Sequence, residues 1–468
     1  MEEEYVVLRI EGAPGRKPSG LQELAGMRDL AAMQDLFKAK DLAGGRDRAV
    51  FKQRAGLEEL AGVRTRTARA PIGAPAPVEA APRPKVLVER TTLTENQRRE
   101  AAKDPRNTIA PTFPIVRMAE IGPEQDIGRL AGDPVAEART TGRPWGIDAV
   151  GAEKPFLDGA AAGVMVAVID SGIDRKHPAF AGLDLTVEDF TKPPDAANPD
   201  AAGGDAIGHG TFCASVIFGR SVEGVRIGVA PAIRKALVAK VFDDAGASST
   251  QAVLGALAWV HKKRANIVSL SLAFDFAAMF RQLKDNGFRE EAAFSEAIVR
   301  YQQAVAQFSL QIEMMTMATE EDPGMVVIAA AGNESRRNDV KPYNVRTGIP
   351  AAVKFVLSVG AVGRAAGGHI VPPFSNINPM VVAPGVQIVG ARAGKRGPES
   401  LGVMDGTSLA CPHVAGVAAL WWGHVAEQTG GHFPADQITS TLRGLARFLP
   451  GIEPALQGSG LVCAPSQN

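Results

Sequence analysis

An α/β fold on a parallel central sheet, preceded by a small α+β region, is predicted by three observations. From Gly163 onward, short apolar runs alternate with helical text: VMVAVID, KALVAKVF, NIVSLSLA, MVVIAAAGN and VLSVGAV. Each run is mostly apolar, and the runs are rich in Val and Ile, as strands covered on both faces are, and parallel sheets are the sheets buried in that way. The chain has 468 residues, 45% of them hydrophobic, enough for at least one large core.

Taken in order, YVVLRI at residues 5–10 reads as a strand, closed by a turn rich in Gly and Pro. Residues 21–66 carry Leu, Met and Phe at three- and four-residue spacings, a helical insertion in which LQELAGMR recurs as LEELAGVR. Two similar amphipathic helices account for that repeat. Residues 69–84 are rich in Pro and Ala and read as an extended linker. Residues 85–119 read as strand, helix, strand, with Thr94 and Gln97 spaced as a capping box. Residues 1–120 are therefore one α+β region, 121–144 a linker, and 145–468 the α/β domain.

Lys plus Arg and Asp plus Glu number 51 each, so no global field recruits nucleic acid or acidic lipid. Cys213, Cys411 and Cys463 are too few and too oddly numbered for a disulfide framework and fit a reducing compartment or simple core packing. The amino terminus MEEEYVVLRIEG is acidic where an export signal is basic. No apolar run reaches the roughly 18 residues of a membrane span. A cytoplasmic protein without membrane insertion is expected. No HExxH or Cys/His cluster is present, and no metal or cofactor is expected.

Three strings carry chemistry: AVIDSGID around Asp170, GHGTFCAS around His209 and GTSLACPHVAG around Ser408. A serine hydroxyl is a weak nucleophile at neutral pH and needs an adjacent base, itself oriented by a third group. An acid, an imidazole and a hydroxyl supply those parts. Asp170 closes an apolar run, where sites of parallel sheets gather; alone, Asp-Ser-Gly would pass as a turn. His209 sits between glycines that permit close backbone approach. Ser408 opens helical text rich in small residues, where backbone amides favour negative charge, although an ordinary N-cap serine sits there too.

The order Asp, His, Ser and the intervening text resemble the subtilisin-like (S8) serine peptidases. His209 lies 39 residues beyond Asp170, Asn333 124 beyond His209, and Ser408 75 beyond Asn333, in register with that family from roughly Trp145 to Gly423. The resemblance implies a three-layer subtilisin-like fold and an endopeptidase with Asp170, His209 and Ser408 as its triad. Asn333 in AAAGNES would be the oxyanion donor. Gly246, Ala247 and Ser248 would form one edge of the substrate cleft and Ser271, Leu272 and Ala273 the other, with Ala330, Ala331 and Gly332 walling the first pocket. Ala273 stands where the family usually has Gly, which narrows the pocket mouth.

LTENQRREAAKDPRN and the strand after it resemble an inhibitor-like prodomain, which implies a folding aid and intramolecular inhibitor, removed by self-cleavage between about Met118 and Trp145. An unrelated small α+β domain stays open, as does a latent regulatory or scaffold protein that keeps the fold with an uncleaved inhibitory domain. Val222 and Ala179 replace the oxygen ligands of the family's strongest calcium site, so that site is not expected. Residues 274–324 hold a surplus of roughly thirty over the family spacing, helical from Glu290 to Glu321 and read as an insertion. Protein or peptide substrates are the expected partners.

Overall fold

The computed structural model describes residues 3–11, 85–104, 106–117, 129–154, 157, 159–192, 203–319 and 321–466. The helices expected at 21–66, the linker at 69–84 and residues 118–128 of the expected processing stretch lie outside them.

The amino-terminal strand β1 (Glu3–Glu11) pairs antiparallel with β2 (Lys85–Leu93) and β3 (Asn107–Pro111), giving the order β2-β1-β3. Helix α1 (Glu95–Ala101) joins β2 to β3. Thr94 accepts from the Gln97 amide while the Gln97 side chain accepts from the Thr94 amide, so both free helix donors are used. The apolar text after α1 reads as one strand but folds as two, β3 and β4 (Pro114–Arg117), in different sheets. Pro111 and Pro114 each lack the N–H that would continue a ladder, and the chain changes sheets between them.

The central sheet of eight strands has the order β13-β12-β11-β9-β5-β7-β6, with β14 also on β12. Its strands are β5 (Met165–Asp170), β6 (Asp184–Asp189), β7 (Lys235–Lys240), β9 (Ile267–Leu270), β11 (Val326–Ala330), β12 (Val356–Ala365), β13 (Gly368–Ile370) and β14 (Val381–Pro384). All pairings are parallel except the edge hairpin of β12 with β13. Every residue of β9 and β11 is buried, as the continuous apolar runs demand.

Alternate residues point to opposite faces and build two cores. Val166, Val168 and Ile328 pack with helices α2 (His209–Phe218) and α6 (Thr407–Thr429). Ala167, Ile169 and Val327 face α3 (Thr250–Lys262) and α5 (Glu290–Thr316). The result is three layers, helix on sheet on helix. Val6, Leu8 and Ile10 of β1 join the second core, so the small amino-terminal sheet rests on α3 and α5. Each such side chain contributes about 1.5–3 kcal/mol when taken from water, which makes this contact a strong one.

Two short strands, β8 (Ser248–Ser249) and β10 (Leu272–Phe274), stand on either side of β4 and pair with it antiparallel. After β10 the chain forms α4 (Phe276–Asp285), which the sequence reading did not specify, and then α5, which begins at Glu290 as expected and ends at Thr316, short of Glu321; Gly287 at φ 87° separates the two helices.

Candidate active site

Asp170 is the last residue of β5, 1% exposed, where the sheet delivers side chains to its carboxyl edge. His209 opens α2 and donates from Nδ1 to Asp170 Oδ1 at 2.8 Å, with Oδ2 at 3.0 Å. That bond leaves Nε2 as the free base position. The helix start is fixed by Asp205, whose carboxylate accepts from the Gly208 and Thr211 amides and the Thr211 and Ser171 hydroxyls. Ser171 in turn accepts from the Gly210 amide, so acid and ring are tied by the backbone on both sides.

Burial by itself pulls the His209 pKa down; the Asp170 carboxylate first, and the Cys213 sulfur after it, more than reverse that and hold the ring well above the ordinary histidine value. Cys213, one helical turn on, has its sulfur 3.8 Å from both ring nitrogens. Burial pushes its thiol up, against the lowering pull of the ring beside it.

Ser408 is the second residue of α6 and 3% exposed. Pro412 lies four residues on and lacks the N–H that would bond the Ser408 carbonyl, leaving that oxygen free inside the helix. The Ser271 hydroxyl at 3.0 Å and the Cys213 thiol at 3.4 Å donate to it instead. The histidine helix, the serine helix and the cleft wall therefore meet at one carbonyl. Among the described residues Ser408 Oγ makes no hydrogen bond to His209, and catalytic bonds of this kind often close only around substrate.

Asn333 follows β11 by three residues and is fully buried. Its Oδ1 accepts from the Thr407 amide at 2.9 Å and the Thr407 hydroxyl at 2.8 Å, which fixes the flip of the amide and turns Nδ2 toward the serine. A methyl carbon added to Gly406 would stand 2.9 Å from Ser408 Oγ and 3.1 Å from Asn333 Nδ2. Gly406, at φ 146°, thus keeps open the space between hydroxyl and amide, where an oxygen gaining charge would sit.

The residues expected to line a cleft stand on the two sides of β4. Ser248, with Gly246 and Ala247 before it, stands on one side of β4; Leu272 and Ala273, with Ser271 before them, stand on the other. Leu272 faces Arg117, Ala273 faces Val116, and Phe274 and Ser248 both face Ile115. The cleft is filled by the chain itself. Ala330, Ala331 and Gly332 are buried at the end of β11, and the Asn376 amide holds the Ala331 carbonyl.

Asp170, His209 and Cys213 form the one grouping of possible metal ligands found among the described residues, with ligand atoms within 4.8 Å of one another. Within that grouping the ring's Nδ1 is already bonded to the Asp170 carboxylate, and burial pushes the Cys213 thiol up. Ala179 and Val222 are buried and have no side-chain oxygen, so the calcium site of the resemblance does not fit here. No helix among the described residues is long and apolar enough to cross a membrane.

Sequence reasoning missed Asp205, the bonding of Cys213 and Ser271 to Ser408, and the strand in the cleft. The first had a signal in the acid four residues before His209, and the second in Pro412 four residues after Ser408.

The family model described as the Subtilase family matches residues 161–457. Subtilisin NAT of Bacillus subtilis subsp. natto is 28% identical over 318 residues, 67% of this chain and 70% of its own length. The major intracellular serine protease of Bacillus subtilis (strain 168) is 27% identical over 323 residues, 68% of this chain and 87% of its own length. Subtilisin-like protease 3 of Pseudogymnoascus destructans is 28% identical over 323 residues, and there the chain spans 65% of the relative's length.

Proposed function

Since the chain belongs to the subtilase family, we propose that it is a serine endopeptidase that cuts polypeptides through an acyl-enzyme on Ser408 and is held latent by its own amino-terminal region. The observation that carries this reading is β4, an extended peptide paired on both edges in the cleft whose wall bonds the Ser408 carbonyl. Main-chain pairing of this kind binds peptides with little demand on sequence.

In the proposed reaction His209 Nε2 takes the Ser408 proton as Oγ bonds the substrate carbonyl carbon. The carbonyl oxygen becomes an anion and accepts from Asn333 Nδ2 and from the Ser408 amide, which lies in the first turn of α6 where amides lack helical partners. Asp170 steadies the imidazolium. Collapse breaks the C–N bond, and the proton passes from His209 to the leaving amine. Water then repeats the sequence on the ester and frees Ser408.

Counted along the register of β4, the bond following Met118 is the one Ser408 would meet, so the first cut is proposed there. Latency without any cut is the second reading, and the filled cleft favours it equally. A reducing interior is the proposed setting, since Cys213, Cys411 and Cys463 are all free thiols.

The test compares full-length wild type with Ser408→Ala by intact mass and casein turnover. Wild type should shorten to a form beginning at Ala119 and digest casein; Ser408→Ala should remain at 49.1 kDa and turn over slower by about 10⁴-fold or more. Equal turnover would remove the hydrolase. Unchanged mass in both, with Ser408 labelled by a fluorophosphonate only after limited proteolysis, would select the latent reading.

A further inference from the structure

Peptide binding does not stop where β4 begins. Phe113 precedes the strand and is fully buried, and its backbone is still held by the cleft walls. Its amide donates to the Thr250 hydroxyl at 3.2 Å, and the carbonyl of the next residue, Pro114, accepts from the Asp275 amide at 3.2 Å. The Asp275 carboxylate also caps α4 by accepting from the Ala278 amide at 2.7 Å. One residue thus anchors the bound backbone and starts the first helix of the insertion.

The Phe113 ring enters a small apolar cluster separate from the two main cores. It stacks on Phe274 with centroids 5.4 Å apart and meets Tyr301 of α5 at 6.1 Å. Met279 and Leu283 of α4 and the small Ala297 and Ala304 of α5 complete the pocket. Apart from Phe274 at the end of β10, these walls come from the insertion. The surplus residues build a receptacle for one aromatic ring, in line with the cleft.

We propose that α4 and α5 form a distal substrate subsite that accepts an aromatic side chain four residues before the one paired with Leu272. The proposal rests on the endopeptidase reading. Phe113 is its resident stand-in: with the amino-terminal region gone, Phe274, Tyr301 and Met279 are left facing water. A polypeptide already held as a strand covers them best with a flat apolar ring at the same register. Preferred substrates are then extended protein segments with Phe or Tyr at that position, and peptides too short to reach it gain nothing.

Quenched fluorogenic peptides of residues 110–123, with Phe113 or with Phe113→Ala, are compared with one of residues 115–123, using the full-length protein after self-processing to constant mass. The Phe113 peptide should exceed the Ala version by about tenfold in kcat/KM, mainly through KM, and the short peptide should match the Ala version. Tyr301→Ala enzyme should narrow the ratio. Equal kcat/KM for the two long peptides, with the short one cut, would overturn the subsite and leave the peptidase standing. Hydrolysis of none of the three would take down the proposed function and this subsite with it.

Discussion

The two ends of the proposed cleft are built on opposite principles. At one end Asp170, His209, Asn333 and Ser408 come from four elements of the central fold, and each is at most 3% exposed. Each is tied by hydrogen bonds to its side chain or its backbone. At the other end the walls around Phe113 are apolar and come mostly from one contiguous insertion, whose outer side still exposes Phe288, Phe294 and Ile298. A reaction centre needs atoms fixed to fractions of an ångström in low dielectric, so it is sunk into the sheet edge. Recognition of a side chain needs area and shape, which an addition between two strands can supply without disturbing the sheet.

The largest effect separating the ends is expected from Asn333→Ala. Losing Nδ2 removes a donor to the developing anion, and losing Oδ1 strands the Thr407 amide and hydroxyl. A fall of about 10²–10³-fold in kcat is expected, a size taken from the subtilisin family itself rather than deduced from this geometry. KM should hold, because the bond strengthens only in the transition state. A fall carried by KM with kcat intact would place Asn333 in binding and blur the division.

The proposed reaction end was also the legible end. Its residues announce themselves through short strings, because the constraints there are local: Asp170 must end a strand, His209 must open a helix, and Gly406 must leave room for an oxygen. The parallel sheet was legible for a similar reason, since MVAVI, the run before Asp170, and VVIAA are apolar at every position. What stayed hidden depends on residues far apart in sequence. PIVR reads as a strand, but nothing near it tells that its partners are Ser248–Ser249 and Leu272–Phe274. Phe113, Phe274 and Tyr301 are ordinary core residues until the fold stacks them. Cys213 was read as packing, because Pro412 four residues after Ser408 tells that a carbonyl is freed but not which distant side chain donates to it.

A smaller effect tests how firmly the recognition side holds the amino-terminal region. Gln307 of α5 is 1% exposed and donates from Nε2 to the Val6 and Thr108 carbonyls, one on β1 and one on β3. Gln307→Leu keeps much of the volume and leaves both oxygens without that donor, at a cost of about 1–3 kcal/mol. After cleavage the amino-terminal fragment should leave about tenfold faster, followed by size-exclusion chromatography of the cut protein with time. An unchanged half-life would mean that the apolar contact of Val6, Leu8 and Ile10 sets retention alone.

The smallest effect is a shift along the pH axis, and it belongs to the reaction end only. A protonated His209 cannot take the Ser408 proton, so kcat/KM must rise with pH as the ring loses its charge. With the Asp170 carboxylate, and the Cys213 sulfur after it, holding that ring well above the ordinary 6.5, the larger part of the protein should still carry a protonated His209 at pH 6.5. Activity there should be less than half of its alkaline plateau, roughly a twofold or greater deficit. His177 and His369 are pushed down, and His413 falls to about 4, all by burial, so none of them can place a limb above 6.5. The short peptide and the long Phe113 peptide should give the same limb, since the aromatic pocket carries no titrating group near neutrality: Tyr301 is pushed up by burial and stays protonated. A limb centred at or below 6.5 would show that Asp170 does not govern the ring, and limbs that differ between the peptides would show that the two ends of the cleft are electrostatically joined.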